Sequence, residues 1–124
     1  MSAVLLDTCI VIHFLRQKPE AIEYIQTLSN APHLSSVTVM ELYAGVRGKD
    51  EEQQLANMIA HSQVLDICGE IGALAGKLLK QYRPASGMDA IDALIGATAM
   101  HNDVELVTLN IKHFAMFEGL GRPY

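Results

Sequence analysis

Four acidic residues of this chain lie within or at the end of apolar runs. Asp7 ends the first run, Glu41 lies inside the second, and Asp89 and Asp92 lie inside the third. A carboxylate in such surroundings loses hydration, and an unpaired buried charge is costly. The nearby sequence offers too few cations to pair with all of them. If the acids converge, a hard divalent cation is the partner that would satisfy them together, and the pattern predicts a metal-binding site.

Two of the acids also have a structural explanation. Asp7 stands between a predicted strand and a predicted helix, where Asp is a favoured N-cap. Asp89 ends the segment 86–89, which begins with Ser86 and has the spacing of a capping box, although such a box usually ends in Glu or Gln. Negative charge in a first helical turn is also favoured by the helix dipole. For Asp7 and Asp89, capping and metal binding both remain open.

Asp92 and Glu41 are harder to explain as helix caps. Asp92 lies three residues after Asp89 on the same helical face, where like charges repel unless a cation lies between them. Glu41 lies in the apolar helix predicted over residues 37–44. Acids are rarely buried without a partner, so a solvated edge position is the alternative for either residue. Taken together, the four acids favour a shared cation.

The ligand atoms indicate which ion and which reaction to expect. Mg²⁺ and Mn²⁺ prefer oxygen ligands, and Mg²⁺ is commonly held by few carboxylates together with substrate phosphate. Such an ion lowers the pKa of a bound water and neutralises charge on an attacked phosphodiester, while a carboxylate accepts the proton. The five histidines and two cysteines show no zinc-binding spacing, so we assign them to surface or core. The predicted chemistry is metal-assisted hydrolysis.

Alternating strands and helices must position these acids. Apolar runs predict strands at residues 3–6, 33–36, 64–67 and 105–108, with a short last strand near 120–123. Helical spacing predicts helices over residues 8–16, 19–29, 37–44, 50–61, 69–82 and 87–101, the last one capped by Ser86. This alternation predicts a parallel sheet covered on both faces, in one domain over residues 1–124. Ligands of such sheets bind beyond the carboxyl ends of the strands, where Asp7 and residues 108–110 lie.

Composition bounds the class of protein. Half of the 124 residues are hydrophobic and 19% are charged, which predicts a globular fold rather than disorder. Neither a membrane span nor a signal peptide is visible, so we expect a cytoplasmic protein with reduced cysteines and no membrane partner. The net charge of −5 argues against a nucleic-acid partner when taken alone, but it falls to −1 once the four suspected ligands are set aside. Charge therefore does not name the partner.

Four short motifs, in order along the chain, resemble those of the PIN-domain nucleases. They are Leu5-Leu6-Asp7-Thr8, the segment 36–42 around Glu41, the segment 92–99 that begins with Asp92, and Leu106-Val107-Thr108-Leu109-Asn110 followed by His113-Phe114. The order, the spacing and the total length are similar to those of the VapC-type toxins of prokaryotic type II toxin–antitoxin pairs. The resemblance covers essentially the whole chain.

The resemblance implies an α/β/α sandwich around a central parallel sheet of four to five strands. It also implies an endoribonuclease that depends on Mg²⁺ or Mn²⁺, with an RNA substrate, a cognate antitoxin encoded by a neighbouring gene, and a homodimer. Asp7, Glu41 and Asp92 fall on acidic positions of the family and are the implied catalytic and metal-binding residues.

A fourth acid of the family is often Asp at the position of Asn110. We therefore expect Asp89 to support the metal in place of the missing carboxylate. Thr108 and Asn110 would orient water or ligand as supporting residues.

Three other classes of protein could also place acids on a parallel sheet. A receiver-type signalling domain needs an acidic pair after its first strand and a phosphoacceptor Asp after its third, but Asp7 has no acidic neighbour and Cys68-Gly69 follows the third strand. A phosphatase with an Asp-x-Asp motif fails because Cys9 occupies the second acidic position. A non-catalytic binding module with the PIN-like fold remains open.

Overall fold

A five-stranded parallel sheet forms the centre of the computed structural model, which describes residues 3–117 and 119–124. The strands are β1 Val4–Leu6, β2 His33–Ser35, β3 Gln63–Leu65, β4 Glu105–Val107 and β5 Leu120–Gly121. Their order across the sheet is β3-β2-β1-β4-β5, and each neighbouring pair runs parallel. The predicted α/β class and the short last strand are both confirmed.

Helices cover both faces of the sheet. They are α1 Thr8–Leu15, α2 Pro19–Thr27, α3 Ser36–Gly45, α4 Gly48–Ala60, α5 Gly69–Ser86 and α6 Ala90–His101. Within the described residues, none of them combines the length and the apolarity that a membrane span requires.

The alternation of side chains along β1 and β4 divides the core into two layers. Leu5 and Leu106 face one hydrophobic cluster, which contains residues of α5 and α6. Leu6 and Val107 face the other cluster, which contains residues of α1 and α4. Successive residues of a strand point to opposite faces, so an apolar pair in a central strand serves both layers. The result is the α/β/α sandwich that the resemblance implies.

The chain order of the strands creates a topological switch point. The chain moves outward from β1 through β2 to β3, then returns to place β4 on the other side of β1 and β5 beyond it. Loops after β1 and β4 therefore leave the sheet in opposite directions and open a crevice between them. Receiver-type domains have the order 2-1-3-4-5, in which β1 and β3 are neighbours. The observed order is different, so the receiver-type alternative is wrong.

Helix α5 corrects one prediction about helix boundaries. We predicted that it ends at Tyr82, but it continues through Pro84 to Ser86. Proline removes one N–H bond and disturbs a helix most in its interior, whereas Pro84 lies in the final turn. Ser86 donates to the Tyr82 carbonyl at 2.9 Å and belongs to α5, so it does not cap α6. Gly87, with φ of 74°, ends α5 in the left-handed conformation.

Candidate active site

Asp7 lies at the switch point, between the end of β1 and the start of α1. Its side chain is buried, and both of its carboxylate oxygens accept hydrogen bonds. Oδ1 accepts from the Thr8 backbone N–H at 2.8 Å, which is the predicted capping role. Oδ2 accepts from the Thr108 hydroxyl at 2.6 Å. Thr108, which follows β4, thus orients the carboxylate of Asp7, which follows β1.

Thr108 and Asn110 act in sequence on Asp7. Thr108 is fully buried, and its hydroxyl oxygen accepts from the Asn110 backbone N–H at 2.9 Å while it donates to Asp7. The Asn110 residue itself is exposed. The structure thus places Thr108 in a supporting role toward the carboxylate and Asn110 in a supporting role toward Thr108.

Glu41 is joined to the same corner of the site through Thr8. The Thr8 hydroxyl donates to Glu41 Oε1 at 2.7 Å and lies 3.0 Å from the Thr38 hydroxyl. A hydroxyl has a single hydrogen, so Thr38 is the donor within the threonine pair. Glu41 is half-buried, in contrast to the fully buried Asp7. Helix α3, which carries Glu41, packs against both α1 and α6, the helices that begin at Asp7 and at Asp89.

Asp89 and Asp92 form a reciprocal capping box at the start of α6. Asp89 Oδ1 accepts from the Asp92 backbone N–H at 2.8 Å, and Asp92 Oδ2 accepts from the Asp89 backbone N–H at 3.2 Å. The box therefore begins three residues later than we predicted, with Asp92 in the place usually held by Glu. Asp89 is exposed and Asp92 is buried. Asp89 thus has the helix-capping role that the sequence left open, and its role in supporting a metal remains a prediction.

His113 is a member of the site that the sequence did not single out. Its Nδ1 lies 2.9 Å from Asp92 Oδ2, which is an ion-pair distance, although the angle does not make it a hydrogen bond. We had assigned all five histidines to surface or core. The signal available in the sequence was the motif His113-Phe114. His113 lies two residues after the start of the turns that follow the loop supporting Asp7.

The electrostatics around Asp92 show that the acids influence one another. Burial raises the pKa of Asp92 above its ordinary value, and the negative charges of Asp89 and Asp7 raise it further. The Asp89 backbone N–H and His113 lower this pKa in part. Among the described residues, no three of the acids bring their oxygens within 4.8 Å of one another. Asp92 thus lies close enough to Asp89 and Asp7 for their charges to raise its pKa, but the structure does not bring three of the acids together at ligand distance.

This donor set fits a hard divalent cation. Asp7, Glu41 and Asp92 present carboxylate oxygens, which Mg²⁺ and Mn²⁺ prefer, and a cation would offset the repulsion felt at Asp92. Cys9 adds no soft ligand. Its thiol lies 3.7 Å from Asp7 Oδ2, and burial, followed by the charge of Asp7, raises the pKa of Cys9 to about 11. The thiol therefore stays protonated near neutral pH.

A doubly wound parallel sheet with carboxylates at its switch point defines the class of this protein. The chain belongs to the PIN-domain family, whose model matches residues 4–117. It is 35% identical to Ribonuclease VapC19 of Mycobacterium tuberculosis, with 97% of this chain and 98% of that protein aligned. It is 32% identical to Ribonuclease VapC10 of the same organism, with 98% of this chain and 92% of that protein aligned.

Solved structures agree with this assignment. A toxin-antitoxin complex from Klebsiella pneumoniae contains a chain that is 28% identical, with a TM-score of 0.85 and 98% of each chain covered. FitAcB from Neisseria gonorrhoeae has a TM-score of 0.76 at 22% identity, with 97% of each chain covered, and supports the fold alone.

Proposed function

We propose that this chain is the endoribonuclease toxin of a type II toxin–antitoxin pair and that it hydrolyses RNA phosphodiester bonds with Mg²⁺ or Mn²⁺. The observation that carries the proposal is the buried carboxylate of Asp7, held by Thr108 at the switch point and joined through Thr8 to Glu41. The names of the M. tuberculosis relatives support the ribonuclease activity. The Klebsiella complex supports the toxin–antitoxin pairing.

Three acids would hold the ion: Asp7, Glu41 and Asp92. When bound, the ion lowers the pKa of a water molecule and neutralises charge on the attacked phosphate. The protein's own contribution is to hold the carboxylates still, with Thr108 fixing Asp7, Thr8 fixing Glu41, and the capping box fixing Asp92. This pre-organisation reduces the rearrangement that the reaction requires.

Glu41 is the best placed of the three to take the proton from the attacking water. Asp7 and Asp92 are buried, and both oxygens of Asp7 already accept hydrogen bonds. Glu41 is half-buried, and its Oε1 accepts from Thr8, so we assign the proton to Oε2.

Phosphate contacts must come from the lysines and arginines around the site. Arg16 is engaged elsewhere, because its guanidinium pairs with Glu51 at 2.5 Å. Arg83 lies in the last turn of α5, just before the loop that leads to Asp89, and Lys112 lies next to His113. Both residues are exposed, so we propose them as phosphate-binding residues that position the RNA strand.

The antitoxin would cover the face of α3 that carries Glu41. Met40 and Tyr43 lie three residues apart on the exposed face of α3 next to this acid, and they are 55% and 43% exposed. Large exposed apolar side chains beside an acidic groove suit a partner segment with apolar and basic residues. A homodimer remains part of the proposal on the strength of the family resemblance.

Metal removal tests the proposed reaction directly. Incubation of the purified protein with total RNA should give cleavage products with Mg²⁺ or Mn²⁺, and EDTA in excess should abolish them because the carboxylates then lack their cation. Adding back either ion should restore cleavage. Products are separated by denaturing electrophoresis.

Two results would contradict this prediction. Cleavage that persists in EDTA would remove the metal mechanism. A folded protein that cleaves no RNA with either ion would favour the non-catalytic binding module.

Asp89 offers a separate test because capping and metal support respond differently to Asn. Asn is as good an N-cap as Asp, so Asp89→Asn should change the free energy of unfolding by less than about 0.5 kcal/mol. Loss of the charge near Asp92 should still raise the Mg²⁺ concentration that gives half-maximal cleavage by about tenfold, the lower end of the effect of losing a metal's outer partner. Chemical denaturation and a Mg²⁺ titration of activity measure the two effects.

The matched variant is Asp89→Ala, which removes the cap as well. It should lower the free energy of unfolding by about 1 kcal/mol. An unchanged Mg²⁺ dependence in Asp89→Asn would leave Asp89 with its capping role alone.

A further inference from the structure

A second group of metal-ligand side chains lies at the other end of α6. Cys68 is the N-cap residue of α5, Glu70 lies in the first turn of α5, and His101 is the last residue of α6. One potential ligand atom from each of the three lies within 4.8 Å of the other two. Helices α5 and α6 form an antiparallel pair joined at Gly87, so this cluster lies at the open end of the pair.

The cluster is separate from the proposed active site. Asp92 lies in the first turn of α6 and His101 is its last residue. Nine residues of α-helix at 1.5 Å per residue place the two about 13 Å apart. An ion bound by His101 therefore does not share ligands with the carboxylates at the switch point.

The distance between the sulfur and the imidazole nitrogen fits one tetrahedral metal ion. Zinc bonds of about 2.3 Å to sulfur and 2.0–2.1 Å to nitrogen place these two atoms about 3.6 Å apart at a tetrahedral angle. The observed distance between Cys68 Sγ and His101 Nε2 is 3.7 Å. The separation of these two ligand atoms therefore already matches the one that a single Zn²⁺ requires.

The position of the Glu70 carboxylate distinguishes a metal-binding site from a catalytic triad with a cysteine nucleophile. In a triad, the acid contacts the imidazole nitrogen that faces away from the nucleophile. Here a carboxylate oxygen of Glu70 lies within 4.8 Å of both the Cys68 sulfur and an imidazole nitrogen of His101, and these two neighbours, Cys68 more strongly, lower the pKa of Glu70. Acid and imidazole thus converge on the sulfur, which is the arrangement of ligands around a common centre.

We propose that Cys68, Glu70 and His101 bind a Zn²⁺ ion that joins the start of α5 to the end of α6. Sulfur and imidazole ligands select zinc over Mg²⁺, which prefers an all-oxygen set. Binding forms the zinc–sulfur bond and releases the thiol proton to solvent, so affinity rises with pH. All three residues are exposed, which gives the ion an entry path and leaves the fourth position to water.

Cobalt replaces zinc as the spectroscopic probe in the test. The full chain, purified in reducing buffer, should develop the charge-transfer absorption of a thiolate bound to Co²⁺, and added Zn²⁺ should displace it while Mg²⁺ should not. Cys68→Ser should abolish the absorption. His101→Gln should weaken binding by at least about tenfold, because loss of a metal's outer partner alone costs that much.

Cys9→Ser is the matched control, since it removes the chain's other cysteine and should leave the absorption unchanged. Zn²⁺ should also slow alkylation of Cys68, which peptide mass spectrometry can follow. Absence of the absorption in the folded wild type would overturn the proposal. Absorption that survives Cys68→Ser, or that is lost in Cys9→Ser, would do so as well.

Discussion

Replacement of Asp7 by Asn should lower RNA cleavage by on the order of 10²–10³-fold with the fold preserved. The amide oxygen can still accept from the Thr8 backbone N–H, so the cap of α1 remains. The position of Oδ2 changes, because it now accepts a hydrogen bond from the Thr108 hydroxyl and would instead hold an amide NH₂, which cannot accept that bond. A neutral amide is also a weaker ligand than a carboxylate for a hard cation. The substitution therefore removes function from a site whose shape is kept.

The measurement is the initial rate of RNA cleavage in Mg²⁺, together with the thermal unfolding midpoint of each variant. Asp66→Asn is a matched control, since Asp66 is exposed in the loop after β3. Full activity of Asp7→Asn would remove the proposed mechanism.

In cells, the wild type should arrest growth and the product of the neighbouring gene should relieve the arrest, whereas Asp7→Asn should not arrest growth. RNA cleavage in vitro without growth arrest in cells would support the ribonuclease activity and contradict the proposed role as a toxin.

Much of the fold could be predicted because its signals are local. The apolar pair Leu5-Leu6 is followed at once by an acid, which is typical of a buried strand that ends at a functional edge. Both of these leucines are fully buried, one in each layer of the core. Asp92 was singled out as an acid beyond the expected cap of an apolar helix, but the structure shows that it lies in the first turn and belongs to the capping box itself. Periodicity and residue type suffice for such features.

Other features depend on contacts that no local pattern encodes. Cys68 and His101 are 33 positions apart, and only the antiparallel packing of α5 and α6 brings them together. His113 meets Asp92 because a chain of turns after β4 folds back toward the start of α6. The extension of α5 through Pro84 is instead a local effect that we missed, since the left-handed Gly87 and not the proline ends the helix.

Phe114→Ala should lower the free energy of unfolding by about 3–5 kcal/mol, a large part of the 5–15 kcal/mol typical of a domain. Phe114 is fully buried in the cluster that contains residues of α5 and α6, and its ring packs against Phe117 at 5.7 Å between centroids. Truncation removes this burial and leaves a cavity that a close-packed core fills only in part. Urea denaturation measures the loss.

The same substitution should reach the active site through the backbone. Residues 111–116 form turns in which Phe114 alone is buried, so we expect this ring to anchor the segment and to keep neighbouring His113 beside Asp92. Phe114→Leu, which keeps most of the volume, should cost less stability and retain more activity than Phe114→Ala. Tyr43→Ala is the exposed aromatic control and should stay within about 0.5 kcal/mol of the wild type. If Phe114→Ala unfolded at the same urea concentration as this control, Phe114 would not be the anchor of the segment.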